Sequence, residues 1–521
     1  MAMKKSEKKE FETSLGLLAK SSIIVFISVL LSKIFTYGYR IVIARTYGPE
    51  TYGLFTLSLM IIGWFIIISK LGLGNGLLRF IPLYRGKNQK SKISYLFKKT
   101  LLISIITSIT AAILLFFFSD LIAINIFQNP DLSFFLKLFS FVIPITVILS
   151  VFLSIIRGYE KITAFSFLSK ILETLSKLVI LLILIFIGFN SNSIPISYLT
   201  GALLTLIIAY FFTKAKIKQV FSKSKKDKKI FKSLFSYSWP LIFFGFAVSV
   251  FHWTDSFIIG IFQTARQVGF YNAAVPIALL LTIPTDLFIQ LFFPLVTREY
   301  AKGNKESVNQ LSKQVGKWIL MISLPILVLF LVFPGTFINI LFGTEYLVAE
   351  NALRFLAIGA IFTALFDVSK QLITMKGKSR LILWDILIVT IINLILNILL
   401  IPKYGINGAG FATMTSMIIF SGILVIQSKR LLSIIPLKRK MINILISVII
   451  STIFLIIIKS FIELNLLTLI LSGIFFILIY ILLIFLICLD KNDRLILNLI
   501  KNKLIKKQAK LHNLETETKD L

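Results

Sequence analysis

Seven cationic side chains lie inside long apolar stretches of this sequence: Lys33, Arg40, Lys70, Arg79, Lys170, Lys177 and Lys370. At membrane depth an ionised side chain costs about 2.5–3.5 kcal/mol on insertion scales, so each calls for a partner or a wet cavity. Lys33 and Arg40 stand almost two helical turns apart and project from one face, with Tyr37 between them. Arg79 sits toward the far end of the second stretch. Lys33, Tyr37, Arg40 and Arg79 are the candidate substrate-binding residues, because clustered cations give charge-assisted hydrogen bonds to an anion such as a phosphate. In the alternative, Arg40 and Arg79 snorkel to the interfaces and only Lys33 is buried.

The second half of the chain carries the opposite sign at depth: Asp255, Asp286, Asp367 and Asp385. Such carboxylates can bind Na⁺ or a proton, or pair with Lys33 and Arg40, so they are the candidates for ion coupling or gating. Asp286 follows Pro284, where proline frees backbone carbonyls and bends a helix. Asp367 and Lys370 can neutralise each other across one turn, and Lys170, Glu173 and Lys177 read as an ion-pair ladder on one helix. His252, three residues before Asp255, is expected to be packed and hydrogen-bonded; a His–Asp proton relay is the alternative. Gly72-Leu73-Gly74-Asn75-Gly76 lacks the preceding strand and following Lys-Ser/Thr of a nucleotide loop, so it reads as a flexible or close-packed helix segment.

The stretches that must position these groups dominate the chain. It is 57% hydrophobic over 521 residues, too apolar for a soluble globule. Apolar runs fall near 21–44, 51–83, 93–118, 134–157, 162–188, 194–213, 234–262, 268–297, 314–333, 350–375, 380–401, 407–428, 441–460 and 465–489. Each is long enough to cross a bilayer as a helix, and lipid cannot satisfy an open backbone. The expected fold is an all-α integral membrane protein of about fourteen transmembrane helices. Of the 56 Lys and Arg residues, 43 fall in the tails and even-numbered loops and only 6 in or beside the odd-numbered ones. That bias places both termini in the cytoplasm, in a multi-pass protein of the cell membrane. It also explains the net charge of +33 by orientation and anionic lipid contact rather than by nucleic acid, which is not an expected partner.

The chain also repeats itself. Tyr52-Gly53-Leu54-Phe55 opens span two and Val268-Gly269-Phe270-Tyr271 opens span eight; Phe80-Ile81-Pro82-Leu83 and Phe292-Phe293-Pro294-Leu295 close them. Two pseudo-symmetric six-helix lobes of like orientation follow, with two further C-terminal helices. The organisation is then a cytoplasmic tail over 1–20, a first lobe over 21–213, a basic cytoplasmic linker over 214–233 read as a solvated hinge, a second lobe over 234–428, spans thirteen and fourteen over 441–489, and a tail over 490–521. No connection holds a soluble catalytic domain, so no enzyme activity, catalytic residue or cofactor is expected. The single cysteine, Cys488, excludes a disulfide framework or Cys-based metal site.

Ala44-Arg45-Thr46-Tyr47-Gly48-Pro49-Glu50-Thr51-Tyr52-Gly53-Leu54-Phe55, with Leu71-Gly72-Leu73-Gly74, Arg79-Phe80-Ile81 and Asp255-Ser256-Phe257-Ile258-Ile259-Gly260, resembles the Wzx-type polysaccharide flippases of the multidrug/oligosaccharidyl-lipid/polysaccharide exporter superfamily. The resemblance implies two lobes around a cavity that opens alternately to each side. It implies a polyprenyl-diphosphate-linked oligosaccharide as cargo, membrane lipids as surroundings, and glycan polymerase or glycosyltransferase partners. The alternatives are a peptidoglycan-precursor flippase, a cation-coupled multidrug exporter, or a membrane-embedded glycan polymerase or transferase.

Overall fold

The computed structural model describes residues 5–223, 227–461, 466–490 and 493. Eleven helical stretches among them are long and apolar enough to cross a membrane. Two of these contain two spans each. Lys5–Lys70 doubles back at Gly48 (φ 76°), a left-handed conformation that glycine adopts freely, and Ser379–Leu432 does the same at Gly405 (φ 56°). The expected fifth span is the helical run Ile162–Ser166, Phe167–Leu172 and Glu173–Phe186, set apart from those eleven by a π-helical turn and three ionisable groups. Each of the about fourteen expected spans thus falls on a helical stretch, and no strand occurs among the described residues.

Span two pauses at Leu71 and Gly72, both with positive φ, and resumes as Leu73–Gly86. Span eight is interrupted by a 3₁₀ turn at Leu279–Thr282, directly before Pro284. These are the bends that the glycine run and the prolines announce. Side chains cap several starts: Asn129 accepts from the Asp131 amide, Asp227 from Ile230 and Asn304 from Ser307.

The cores show how the spans assemble. The largest cluster lies at the end bearing the odd-numbered loops and draws on both halves, from Ile43, Tyr52 and Phe55 to Tyr271, Tyr346 and Ala409. At the even-loop end each half keeps a core of its own: Leu77, Leu96 and Ile155 in the first, Phe292, Ile319 and Val368 in the second. The halves are fused at one end and separate at the other.

The linker departs from the expected solvated hinge. Ile217 and Val220 are buried, Ser94 donates to the carbonyls of Val220 and Ser222, and Lys98 donates to Ser222 at 2.7 Å. Lys228–Ser238 then packs through Ile230 and Leu234 into the first half's core, against Gly72 and Gly76. Hydrophobic residues at one-turn spacing make this foot of span seven amphipathic, so it docks instead of floating. Residues 224–226 of the linker, most of the 490–521 tail and residues 1–4 lie outside the described residues.

Candidate functional site

A cavity of about 400 Å³ opens between the halves, walled by spans one, seven, eight, ten and twelve. Thr36, Tyr37 and Arg40 line it from the first half, His252, Trp253 and Asp255 from span seven. Heptad-like spacing puts Lys33, Tyr37 and Arg40 on the same helix face, and the structure turns that face toward the second half. Lys33 Nζ lies 2.8 Å from Asp286 Oδ2 on span eight, an ion pair across the halves. Among the described residues no carboxylate pairs with Arg40. An unneutralised guanidinium thus faces a confined chamber at membrane depth.

Arg79 is elsewhere. It is exposed, with its guanidinium carbon 4.3 Å from the Tyr237 ring centre, and it is not part of the cavity wall. The bend at Leu71–Gly72 turns the lower part of span two onto the Lys228–Ser238 helix, so Arg79 stacks there.

The acids divide in the same way. Asp255 is 6% exposed, and its carboxylate accepts from Thr413 Oγ1 at 2.6 and 2.7 Å, Asn397 Nδ2 at 2.8 Å and Tyr271 Oη. Asn393 supports the cage by donating to Thr413 at 3.1 Å. Asp367 is held on its own helix by Lys370 at 2.5 Å and Gln371 at 3.0 Å, away from the cavity wall. Asp385 sits between spans eleven and twelve against Gln427. Structure therefore joins Lys33, Tyr37, Arg40, Asp255 and Asp286 and leaves Arg79, Asp367 and Asp385 apart. Among the described residues no group of three His, Cys, Asp or Glu could hold a metal ion.

His252 is exposed and lines the cavity, not packed as expected, because it lies one turn from Asp255 on the face of span seven that walls the cavity. Glu173 and Lys177 form the anticipated pair at 2.9 Å, and Lys177 Nζ also lies 3.6 Å from the Tyr198 ring centre. Three residues of the Asp255 cage escaped notice in the sequence: Asn393, Asn397 and Thr413. The signal was present, since two asparagines one turn apart in an otherwise apolar span each need hydrogen-bond partners.

The far end of the cavity is sealed. A Cβ on Gly53 would fall 1.7 Å from the Ala265 carbonyl oxygen, and one on Gly269 would fall 2.0 Å from that of Pro49. Each glycine meets the carbonyl four residues before the other, as a local two-fold would have it, and both come from the repeated motif. Tyr52 Oη donates to the Asn272 carbonyl and Tyr346 Oη to that of Ala44, both at 3.1 Å. Arg45 donates to the Leu341, Asn339 and Ile340 carbonyls at 2.6–2.9 Å, capping the C-terminus of Pro334–Phe342.

Residues 18–299, more than half of the chain, match the family described as polysaccharide biosynthesis protein, and residues 240–399 match the MatE family. A membrane protein of Methanocaldococcus jannaschii is 28% identical over 88% of this chain and 93% of its own. The putative O-antigen transporter of Shigella flexneri is 24% identical over 71% of this chain and 88% of its own. Among solved structures, the lipid II flippase MurJ in an inward closed conformation superposes with a TM-score of 0.71 at 18% identity, over 88% of this chain and 98% of that one.

Proposed function

Because the chain belongs to the polysaccharide biosynthesis protein family, we propose that it is a flippase that carries a polyprenyl-diphosphate-linked oligosaccharide from the cytoplasmic to the outer leaflet of the cell membrane. The observation that carries this reading is Arg40, a cavity cation without a described carboxylate, with Lys33 one face below it on a breakable pair. The diphosphate binds Arg40 and draws Lys33 from Asp286, while the polyprenyl tail stays in lipid beside span one. The Lys33–Asp286 pair stands in for cargo in the empty state.

The even-loop end is the cytoplasmic one on this reading, and both termini lie there. On this reading the glycine crossing closes the outer side, and cargo loads from the cytoplasmic side, where the halves keep separate cores. Release requires the even-loop end to close and the odd-loop end to part. Inside-negative potential assists outward movement of an anion by about 2.3 kcal/mol per charge per 100 mV. Asp255, whose carboxylate accepts from Asn397 Nδ2 and Thr413 Oγ1, is the site for a coupling Na⁺ or proton. A glycan polymerase or glycosyltransferase would meet the product or supply the cargo. The similarity to a putative O-antigen transporter supports this choice of cargo class.

The test is transport of labelled lipid-linked oligosaccharide in proteoliposomes containing wild type, Lys33→Ala or Arg40→Ala. Arg40→Ala is expected to lose at least about tenfold, the loss of one charge-assisted contact of roughly 1.5 kcal/mol or more. Equal rates in all three proteins would remove the cationic site.

A further inference from the structure

Asp385 has a different environment from Asp255. It is 5% exposed, at the even-loop end of span eleven, in a small core with Ile373, Ile382 and Leu424. Gln427 Nε2 on span twelve donates to its Oδ1 at 2.8 Å. Its other oxygen, Oδ2, is buried with no partner among the described residues, and so is Oε1 of the same Gln427. Two acceptors of one contacting pair are thus left over together. A buried acceptor without a donor costs about 1–3 kcal/mol, and more when it is charged.

No cation offsets them. On span ten, Lys376 spends its Nζ on the Leu431 carbonyl, and Lys370 is taken by Asp367. Arg380 on span eleven and Lys429 and Arg430 on span twelve are exposed and form no ion pair with Asp385 among the described residues. A bound metal ion is also poorly served, since hard cations take about six or more oxygens and this pair has two free.

We propose that Asp385 is a proton-binding site, neutral at pH 7, in which the acid proton on Oδ2 is donated to Gln427 Oε1. A carboxylic acid and a primary amide then close a two-bond ring that joins spans eleven and twelve. One O–H bond holds the proton, and its loss leaves a carboxylate whose Oδ2 faces another acceptor. Deprotonation therefore opens the ring and loosens the inner ends of the two spans. The site is separate from the cargo cavity and from the Asp255 cage, and it does not depend on which cargo moves.

Infrared difference spectra of the full-length protein in liposomes, wild type minus Asp385→Asn at pH 7, test it without any cargo. The expected result is one protonated-carboxyl C=O band, shifted in D₂O and absent from the variant. Asp385→Asn keeps both ring bonds, since its amide N–H replaces the acid O–H. Because Asp ionises in the unfolded chain above about pH 4 and Asn does not, the variant should melt above wild type at pH 7, by a margin that grows from about pH 4 up to the pH at which Asp385 loses its proton. Gln427→Leu should retain the band at higher frequency. A carboxylate band from Asp385 at pH 7, loss of the acid band on adding Na⁺, or an unfolded Asp385→Asn would each overturn the proposal.

Discussion

The odd-loop and even-loop ends of this molecule are held by different forces. At the odd-loop end the halves share one core, with Gly53 and Gly269 in backbone contact and the tyrosines Tyr52 and Tyr346 bonded across. At the even-loop end the halves have separate cores, and Lys33–Asp286 bridges them with side chains 28% and 53% exposed. Such an ion pair contributes about 0–1 kcal/mol, so a competing anion can displace it at little cost. A close-packed crossing has no partial state and gives way all at once. The difference teaches that the two ends need not part by the same event: on the proposed function, charge competition acts at one and repacking at the other.

The even-loop end has one charged structure that is not exchangeable. Lys317, fully buried, donates to the Cys488 carbonyl at 2.8 Å, to Asp490 at 3.3 Å and to Asp493; Lys438 binds Asp490 and Gln314, and Trp318 donates to Asp493. This fastens the end of span fourteen to span nine. Lys317→Ala leaves the buried Asp493 carboxylate without a cation and is expected to cost about 3–5 kcal/mol, the largest effect of the set. Thermal unfolding in detergent reads it; a change under 1 kcal/mol would mean the charges here are as loose as Lys33–Asp286.

Gly53→Ala acts on the other end. Its methyl group collides with the Ala265 carbonyl. A loss of about 1–3 kcal/mol is expected, with raised labelling from the outer face of a cysteine introduced at the cavity residue Thr36 in a Cys488→Ser background. Unchanged labelling would show that the crossing is not the outer seal. Arg45→Ala is the gentler version. It removes three hydrogen bonds to a helix C-terminus, about 1–2 kcal/mol, and should raise the same labelling by a few-fold. Arg45 has no counterpart in the second repeat, where Ile261 stands, so the effect tests an asymmetric lock on a symmetric crossing.

Much of this was legible in the sequence, and the reason is period. Fourteen apolar runs and alternating loop charge are local signals, and the Tyr52-Gly53 and Val268-Gly269 motifs marked the repeat, whose two glycines form the crossing in the structure. Three groups were not readable for the opposite reason. Lys317 counted as a loop cation, since its partners stand more than 170 residues away. Arg79 is displaced by a bend whose direction depends on a helix far along the chain. Asn393, Asn397 and Thr413 are neutral and become a site only around Asp255.

The smallest expected effect concerns pH and the Asp490 end of the clamp, beyond the last span. Burial tends to raise the Asp490 pKa, but Lys438, the Asp493 amide and the Lys317 charge outweigh it and hold the carboxyl well below its usual range. An acid depressed in the folded state stabilises above its unfolded pKa of about 3.9 and loses that contribution as pH falls below it. Wild type should therefore melt at a constant temperature from pH 7 to about 5 and decline below about 4. Asp490→Asn should start lower at pH 7 and decline less, so that the two curves converge in acid. Parallel curves would show that Lys438 and Lys317 gain nothing from the ionised form. In that case the even-loop clamp would draw its strength from packing and charge-independent hydrogen bonds, as the tyrosines and glycines of the odd-loop crossing do.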